Sequence, residues 1–289
     1  MMTTIHDSLP TPMTHTLTFV QLTDLHIRKP GQLAYGKVDT SEYLRTTVES
    51  VRALRQRPEA IVITGDLTDF GRAEEYQYMK ELLAPLAMPV YLMPGNHDDR
   101  QNLRAVFNDH DYLGTTGFVQ YHCRIGPLHL LALDTSEPGR SDGRLCSERL
   151  AWLDQQLAAL EGQAVVVAMH HPPFRTLIGH MDKIGLSEGS VELESLLRRH
   201  PNVERVLCGH LHRAIDVRFG GTLASTCPGP AHQVTLNLDP QATSDWMLEP
   251  PAFRVHAWDE VNRRLVTHLA PIGSFEGPYP FHAEGKLID

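Results

Sequence analysis

At 289 residues and 42% apolar content, the chain can bury a sizeable core without crosslinks, as one large domain or one domain with a small appendage. Its formal net charge of −9, with no basic cluster, argues against tight binding to a nucleic-acid polymer, which needs several lysines or arginines in one patch. The four cysteines, Cys123, Cys146, Cys208 and Cys227, show neither CxxC pairing nor a disulfide framework, and no apolar run approaches the ~18 residues of a membrane span.

Residues 1–16 are polar, contain Pro10 and Pro12, and lack the basic and apolar regions of a signal peptide, which predicts a loosely attached tail on a cytoplasmic protein. Residues 17–22 read as the first strand. A helix is expected over 41–57, capped by Ser41, with Leu44, Val48, Val51 and Leu54 on one face. Residues 60–64 read as a buried strand, 73–83 as a helix and 89–93 as a third strand. The stretch from 99 to 117 is ambiguous, a short helix with a loop. Residues 119–124 and 128–134 flank Ile125-Gly126-Pro127 and predict an antiparallel hairpin. A helix over 147–160, capped by Ser147, buries Leu150, Leu153, Leu157 and Leu160. Strands follow at 164–169 and 203–208, separated by a loop-rich stretch over 171–189, and further strands run to about 269. This strand–motif–helix order predicts an α/β protein with its ligand loops at one end of the sheet.

Five motifs each follow one of these apolar runs: Asp24-Leu25-His26, Gly65-Asp66, Gly95-Asn96-His97-Asp98, His170-His171 and Gly209-His210-Leu211-His212. Side chains far apart in the chain would thereby converge on one point. Asp24, His26, Asp66, Asn96, His170, His210 and His212 supply the donors of a two-metal site. Two divalent ions about 3.5–4 Å apart can clamp the attacking and leaving oxygens of a phosphoryl transfer. Holding like charges that close requires a bridging anion, a role for an aspartate. Imidazole and carboxylate donors suit zinc, iron, manganese or cobalt better than calcium. Asn96, a neutral and weak donor, would leave one ion more electrophilic. In an extended segment residues i and i+2 share a side, so Asp24 with His26, and His210 with His212, could each reach one ion while Leu25 and Leu211 turn inward. The glycines at 65, 95 and 209 permit tight turns and close approach.

These motifs resemble the calcineurin-like metallophosphoesterase superfamily, whose pattern is D-x-H, G-D, G-N-H-[DE], H, G-H-x-H. The stretches Tyr35-Gly36-Lys37-Val38-Asp39, Gly71-Arg72-Ala73-Glu74-Glu75-Tyr76, His170-His171-Pro172-Pro173, Met181-Asp182 and Ser225-Thr226-Cys227-Pro228-Gly229-Pro230-Ala231-His232-Gln233 resemble its bacterial glycerophosphodiesterase and class III cyclic nucleotide phosphodiesterase subgroup. The similarity runs from about 17 to 232. It implies a four-layer αββα sandwich with mixed sheets and two divalent ions of manganese, iron, zinc or cobalt. By that resemblance Asp24, His26, Asp66 and His212 hold the first ion, and Asp66, Asn96, His170 and His210 the second. A metal-bound hydroxide would attack a small phosphodiester of cyclic nucleotide or glycerophosphodiester type. His97 would stabilise charge or protonate the leaving alkoxide, Asp98 would orient His97 or hold the loop, and His232 would face the substrate beside Asn96.

The expected organisation is a tail over 1–16, a catalytic domain over 17–236 and C-terminal strands over 237–289. The proline-bearing segment 237–251 would act as a cap or dimer-forming element, or as a surface loop, in a homo-oligomer without membrane or nucleic-acid partners. Trp246 and Trp258 would serve a subunit interface or anchor these strands. His122, His129, His180, His256 and His268 have no motif context, His171 reads as structural, and Arg72, Glu74 and Glu75 read as a solvated helix start. The alternatives are a non-catalytic scaffold of the same fold and a promiscuous phosphomonoesterase or phosphonate monoester hydrolase. A scaffold would be expected to lack a ligand or His97, and all are present. Asp69 stands where certain glycerophosphodiesterase-like relatives carry asparagine, which puts a glycerophosphodiester preference in doubt.

Overall fold

The computed structural model describes residues 16–288, so the tail expected over 1–16 lies, apart from Thr16, outside the described residues. Strand β1 (Thr18–Leu22) is followed by helix α1 (Thr40–Arg52), β2 (Ala60–Ile63), α2 (Ala73–Leu83), β3 (Val90–Leu92) and α3 (Arg100–Val106). Next come the hairpin strands β4 (Tyr121–Ile125) and β5 (Leu128–Leu133), short β6 (Gly143–Arg144), α4 (Ser147–Ala159) and β7 (Val165–Met169). The chain continues through α5 (Gly179–Asp182), β8 (Leu186–Glu188), α6 (Ser190–Arg198), β9 (Val203–Cys208), β10 (Ile215–Phe219) and β11 (Thr222–Thr226). It ends with β12 (Gln233–Val234), β13 (Trp246–Met247), β14 (Ala252–Asp259), β15 (Arg264–Pro271), and a small hairpin of β16 (His282–Ala283) and β17 (Lys286–Leu287).

Two mixed sheets carry the fold. The first runs β15-β14-β1-β2-β3 and the second β10-β11-β9-β7-β5-β4. Within them β1, β2 and β3 are parallel, as are β5, β7, β9 and β11, and antiparallel strands close every edge but that at β3. Side-chain alternation explains the layering. Leu130, Ala132, Val166 and Ala168 pack inward towards Phe19 and Val62 of the first sheet, whereas Leu131, Leu133, Val165, Val167 and Met169 pack outward against Leu153, Leu157, Leu193 and Leu197 of α4 and α6. With α1 and α2 packed on the first sheet through Leu44, Val48, Tyr76 and Met79, the result is a four-layer αββα sandwich. A buried polar seam joins the two sheets. Gln21 Nε2 donates to the Cys208 carbonyl at 3.0 Å, and the Cys227 thiol donates to the Gln21 carbonyl at 3.4 Å.

Several local expectations are corrected. Helix α1 begins earlier because Asp39, not Ser41, is its cap; the Asp39 carboxylate accepts from Ser41 N at 3.1 Å and Glu42 N at 3.2 Å. The helix also stops at Arg52, well before Arg57, whose backbone is disfavoured from helix by Pro58. Helix α4 is preceded by Cys146 rather than capped by Ser147, and Arg149 is buried where Leu150 is only half-buried. Glu75 is fully buried, not solvated, and its Oε2 accepts from the backbone N–H groups of Phe70 and Arg72. Of the C-terminal strands, β14 joins the first sheet beside β1 and β15 pairs outside it at the sheet edge. Among the described residues no helix is long and apolar enough to cross a membrane.

Candidate metal centre and catalytic pocket

Each donor sits just past a strand end. Asp24 and His26 follow β1, Asp66 follows β2, Asn96 follows β3, His170 follows β7, and His210 and His212 follow β9. Neighbouring loops are cross-tied by Asp24 N–H to the Gly65 carbonyl (3.0 Å), His26 N–H to the Asp66 carbonyl (3.0 Å) and Gly209 N–H to the His170 carbonyl (2.9 Å). The backbone here is not extended. Asp24, His26, Asp66, His210 and His212 all have positive φ, from 45° to 71°. The i, i+2 pairs therefore converge through paired left-handed kinks around the buried Leu25 and Leu211, not through strand alternation. Such residues cost about 1–3 kcal/mol each and persist where surrounding structure and function over-determine them. Two glycines are required by close approach: a Cβ at Gly95 would lie 2.2 Å from Asp66 Oδ1, and one at Gly209 would lie 2.1 Å from Thr23 Oγ1.

The ring orientations identify lone pairs. His26 Nδ1 donates to Asp69 Oδ1 (3.3 Å), and His212 Nδ1 donates to the His232 carbonyl (3.0 Å). Their Nε2 atoms, left with lone pairs, face each other at 3.3 Å. Asp24 Oδ1 lies 3.5 Å from His212 Nε2 and Asp66 Oδ2 lies 3.6 Å from His26 Nε2. Four electron-pair donors meeting in one buried place fit a divalent cation. On the other side, His170 Nδ1 donates to the Thr64 carbonyl at 2.8 Å, which aims its Nε2 at Asp66 Oδ2 (3.3 Å) and Asn96 Oδ1 (3.2 Å). His210 Nε2 is buried without a hydrogen-bond partner. Asp66 thus stands between two donor groups, as a bridging ligand would. The chemistry of the set matches borderline divalent metals.

The titration of these groups follows from their enclosure. Burial and the Asp66 charge push Asp24 up to about 6, against the pull of His170 and His26. Despite its burial, Asp66 is held well below the usual carboxylate range by His170, His97 and His26. Burial drives His210 down to about 3 and His212 to about 4, leaving both rings neutral and able to ligate at neutral pH.

His97 Nδ1 donates to the Asp69 carbonyl at 2.9 Å, and its side chain remains 36% exposed at the pocket mouth. Burial opposes protonation, yet Asp66 and Asp69 together hold its pKa above the ordinary histidine value. Asp98 makes other contacts. Its carboxylate accepts from the backbone N–H groups of Leu67 (3.0 Å), Thr68 (3.2 Å) and Gly95 (2.8 Å), and from the Tyr76 hydroxyl (2.8 Å). It staples the Asp66 loop to the Asn96 loop, and the hydrogen bond that orients the His97 ring is the one the Asp69 carbonyl accepts. Desolvation and Asp66 push the Asp98 carboxyl up to about 6. Asp69 also accepts from Arg28 Nη1 at 3.0 Å.

A pocket of about 330 Å³ brings His26, Asp66, Asn96, His97, His210, His212 and His232 together with Tyr35, His180 and Trp246. His232 lies 4.5 Å ring-to-ring from His212 and 5.1 Å from Tyr35, with its buried Nδ1 unpartnered. Trp246 stacks on Tyr35 at 5.2 Å, so segment 237–251 walls this pocket in its own chain. His180 also faces the pocket, which the sequence reading missed for want of a motif. His171 has both ring nitrogens engaged, by Thr135 Oγ1 (2.8 Å) and the Ser141 carbonyl (3.2 Å), and is not a free donor. Tyr76 and Glu75 were missed as loop supports; three backbone N–H groups near a helix start needing acceptors is the physical signal that could have found them.

A sandwich with carboxylate and imidazole donors gathered on its loops is the architecture of a metal-dependent hydrolase. The calcineurin-like phosphoesterase profile matches residues 17–214, and the chain belongs to that family. It is 38% identical over 271 residues to a probable glycerophosphodiester phosphodiesterase GpdQ of Arcobacter nitrofigilis, an alignment covering 93% of this chain and 99% of the relative. It is 32% identical to a probable cyclic nucleotide phosphodiesterase of Synechococcus, covering 81% of this chain and 89% of that one. A dimetal phosphatase from Danio rerio shares the fold, with a TM-score of 0.66 at 18% identity, over 89% of this chain and 96% of its own.

Proposed function

We propose that the chain hydrolyses small phosphodiesters at a two-metal centre. The observation that carries this reading is the pair of donor groups sharing Asp66, with His97 at the mouth of the same pocket. Asp24, His26, Asp66 and His212 would hold one ion, and Asp66, Asn96, His170 and His210 the other. Manganese, iron, zinc or cobalt suits these donors. When bound, the ions supply Lewis-acid polarisation of the phosphoryl group and a hydrolytic water acidified towards neutral pH.

The chain's own residues do the rest. With Nδ1–H fixed on the Asp69 carbonyl, His97 has Nε2 as the position that gives a proton to the departing alkoxide. His232, Tyr35 and Trp246 form an aromatic wall that positions the ester group and excludes water. Asn96, a neutral donor at the rim of both pockets, can also touch a phosphoryl oxygen. A diester is favoured over a monoester because no lysine or arginine is among the described residues lining this pocket. A monoester carries about −1.5 to −2 charge at pH 7 and gains from further cations, whereas a diester monoanion needs a neutral wall for its second ester group. The names of the two bacterial relatives agree with this reading.

The test compares bis(p-nitrophenyl) phosphate with p-nitrophenyl phosphate, after chelation and then with manganese added. Metal-dependent turnover favouring the diester is expected. Preference for the monoester, or turnover that survives chelation, would overturn the proposal.

A further inference from the structure

A second cleft, of about 680 Å³, opens on the far side of Asn96 and His97, the two residues it shares with the metal pocket. Its volume falls within the ~300–1,000 Å³ of pockets that enclose a drug-sized ligand. The charged side chains around it are already committed. Arg100 is bound to Asp134 (2.5 and 2.8 Å) and the Ser136 carbonyl (2.7 Å), and Arg104 to the carbonyls of Leu113 (3.1 Å), Thr116 (3.1 Å) and Gly117 (3.0 Å). Glu137 is paired with Arg149. Apart from the exposed Asp99 carboxylate, which caps α3 by accepting from Asn102 N–H at 2.8 Å, the groups left to meet a ligand are neutral: the Gln101 amide, the Thr115 and Thr116 hydroxyls, and the Phe70 ring. Phe70 is 55% exposed and is flanked by the Arg28 and Arg72 guanidiniums at 4.5 and 4.8 Å from its centroid.

We propose that this cleft is the leaving-alcohol subsite, and that the preferred substrate is an open-chain phosphodiester whose departing half is a neutral, ring-bearing alcohol of nucleoside size. The assignment rests on the phosphodiesterase reading above, with His97 as the proton donor. His97 belongs to both pockets, so the oxygen it protonates must carry its substituent away from the metal donors and into the cleft. The phosphorus, its non-bridging oxygens and the retained ester group occupy the smaller pocket. In the step, the water oxygen bonds to phosphorus, the bond from phosphorus to the departing oxygen breaks with its electron pair, and the His97 proton goes to that oxygen. The water's own protons pass to solvent and back to His97. The products are the free alcohol and a phosphomonoester of the retained half. Two lobes on opposite sides of His97 suit a diester with two separate substituents, whereas a 3′,5′-cyclic nucleotide has only one.

The test uses the manganese-loaded protein and a diester joining glycerol C3 to the 5′-oxygen of uridine, with its products separated by chromatography. Uridine and glycerol 3-phosphate are expected. Uridine 5′-monophosphate and glycerol as the main products would overturn the assignment, as would a higher kcat/KM on 3′,5′-cyclic UMP than on the open diester. In Phe70→Ala the ratio of kcat/KM on this ester to that on glycerophosphoethanolamine should fall about tenfold, or about 1.4 kcal/mol, as the exposed ring edge and the seat of its two flanking guanidiniums are lost. Thr116→Trp, which fills the cleft from an exposed loop, should lower the same ratio without touching the Phe70–arginine stack. An unchanged ratio in both variants would refute the subsite. No turnover of any diester would instead refute the phosphodiesterase reading, and this assignment with it.

Discussion

Replacing Asp98 with asparagine separates two roles that its position beside His97 allows. The wild-type carboxylate accepts from three backbone N–H groups, on Leu67, Thr68 and Gly95, and from the Tyr76 hydroxyl. Asparagine keeps the shape but turns one oxygen into a donor, so either the Leu67 and Gly95 N–H groups or the Thr68 N–H group faces an N–H it cannot use, while the Tyr76 hydroxyl can accept from it. Hydrogen bonds to a charged group contribute about 1.5–3 kcal/mol each. One or two such bonds lost, with the charge removed from the rest of the network, do not add fully, and about 3 kcal/mol of destabilisation is expected. That corresponds to a fall of roughly 6 °C in melting temperature for a chain of this size. Asp66 directly precedes Leu67 and Asn96 directly follows Gly95, so metal affinity should also fall about 10–100-fold, as for other partners that orient ligands. The assay is thermal melting with and without manganese, alongside calorimetric metal titration, at pH 7.5, where the wild-type group is ionised. Unchanged melting and metal affinity with a large loss of kcat would refute the staple and make Asp98 a partner of His97 in proton transfer.

Three further outcomes are expected. Asp66→Ala should lose metal binding and activity together, since one oxygen serves both donor groups; tight binding of two ions to this variant would contradict the bridging role. His97→Ala should keep its metals and lose about 10²–10⁴ in turnover of alkyl diesters, with a smaller loss on p-nitrophenyl esters, whose leaving group needs little protonation; equal losses on both would remove its acid role. Asp142 is lowered to about 2 by its hydrogen bonds from Arg140 and then from Ser187, against partial burial. Its folded value lies below an unfolded value of ~3.9, so the stabilisation is fully present above ~pH 5 and is lost as pH falls through the folded value. Asp142→Asn should therefore cost about 1 kcal/mol in urea denaturation at pH 7, after allowing for the exposed arginine. That difference should narrow below pH 4, and one that widened would reverse the sign.

The donors were legible in the sequence because each follows an apolar run short enough to be a buried strand. The four-layer arrangement was legible too, through the family resemblance that the motifs carry. What was not legible depends on long-range packing or on backbone conformation. Nothing in Asp24-Leu25-His26 announces two left-handed residues, since aspartate and histidine are ordinary in extended chain. Glu75 looks like any acidic residue in a helix's first turn, and only the Phe70 and Arg72 N–H groups reveal why it is buried. Ser41 is a good cap by type, but Asp39 occupies the geometry and even accepts from the Ser41 hydroxyl at 2.6 Å. Trp246 could be placed in the pocket only after β13 was seen to pair with β12, directly after His232.

The most direct test of the two-metal account is a crystal structure of the manganese-soaked protein, read by anomalous scattering. Two peaks about 3.5–4 Å apart are expected, with the Asp66 carboxylate between them, His26 and His212 on one ion and His170 and His210 on the other. A single ion, or two ions that Asp66 does not join, would contradict it.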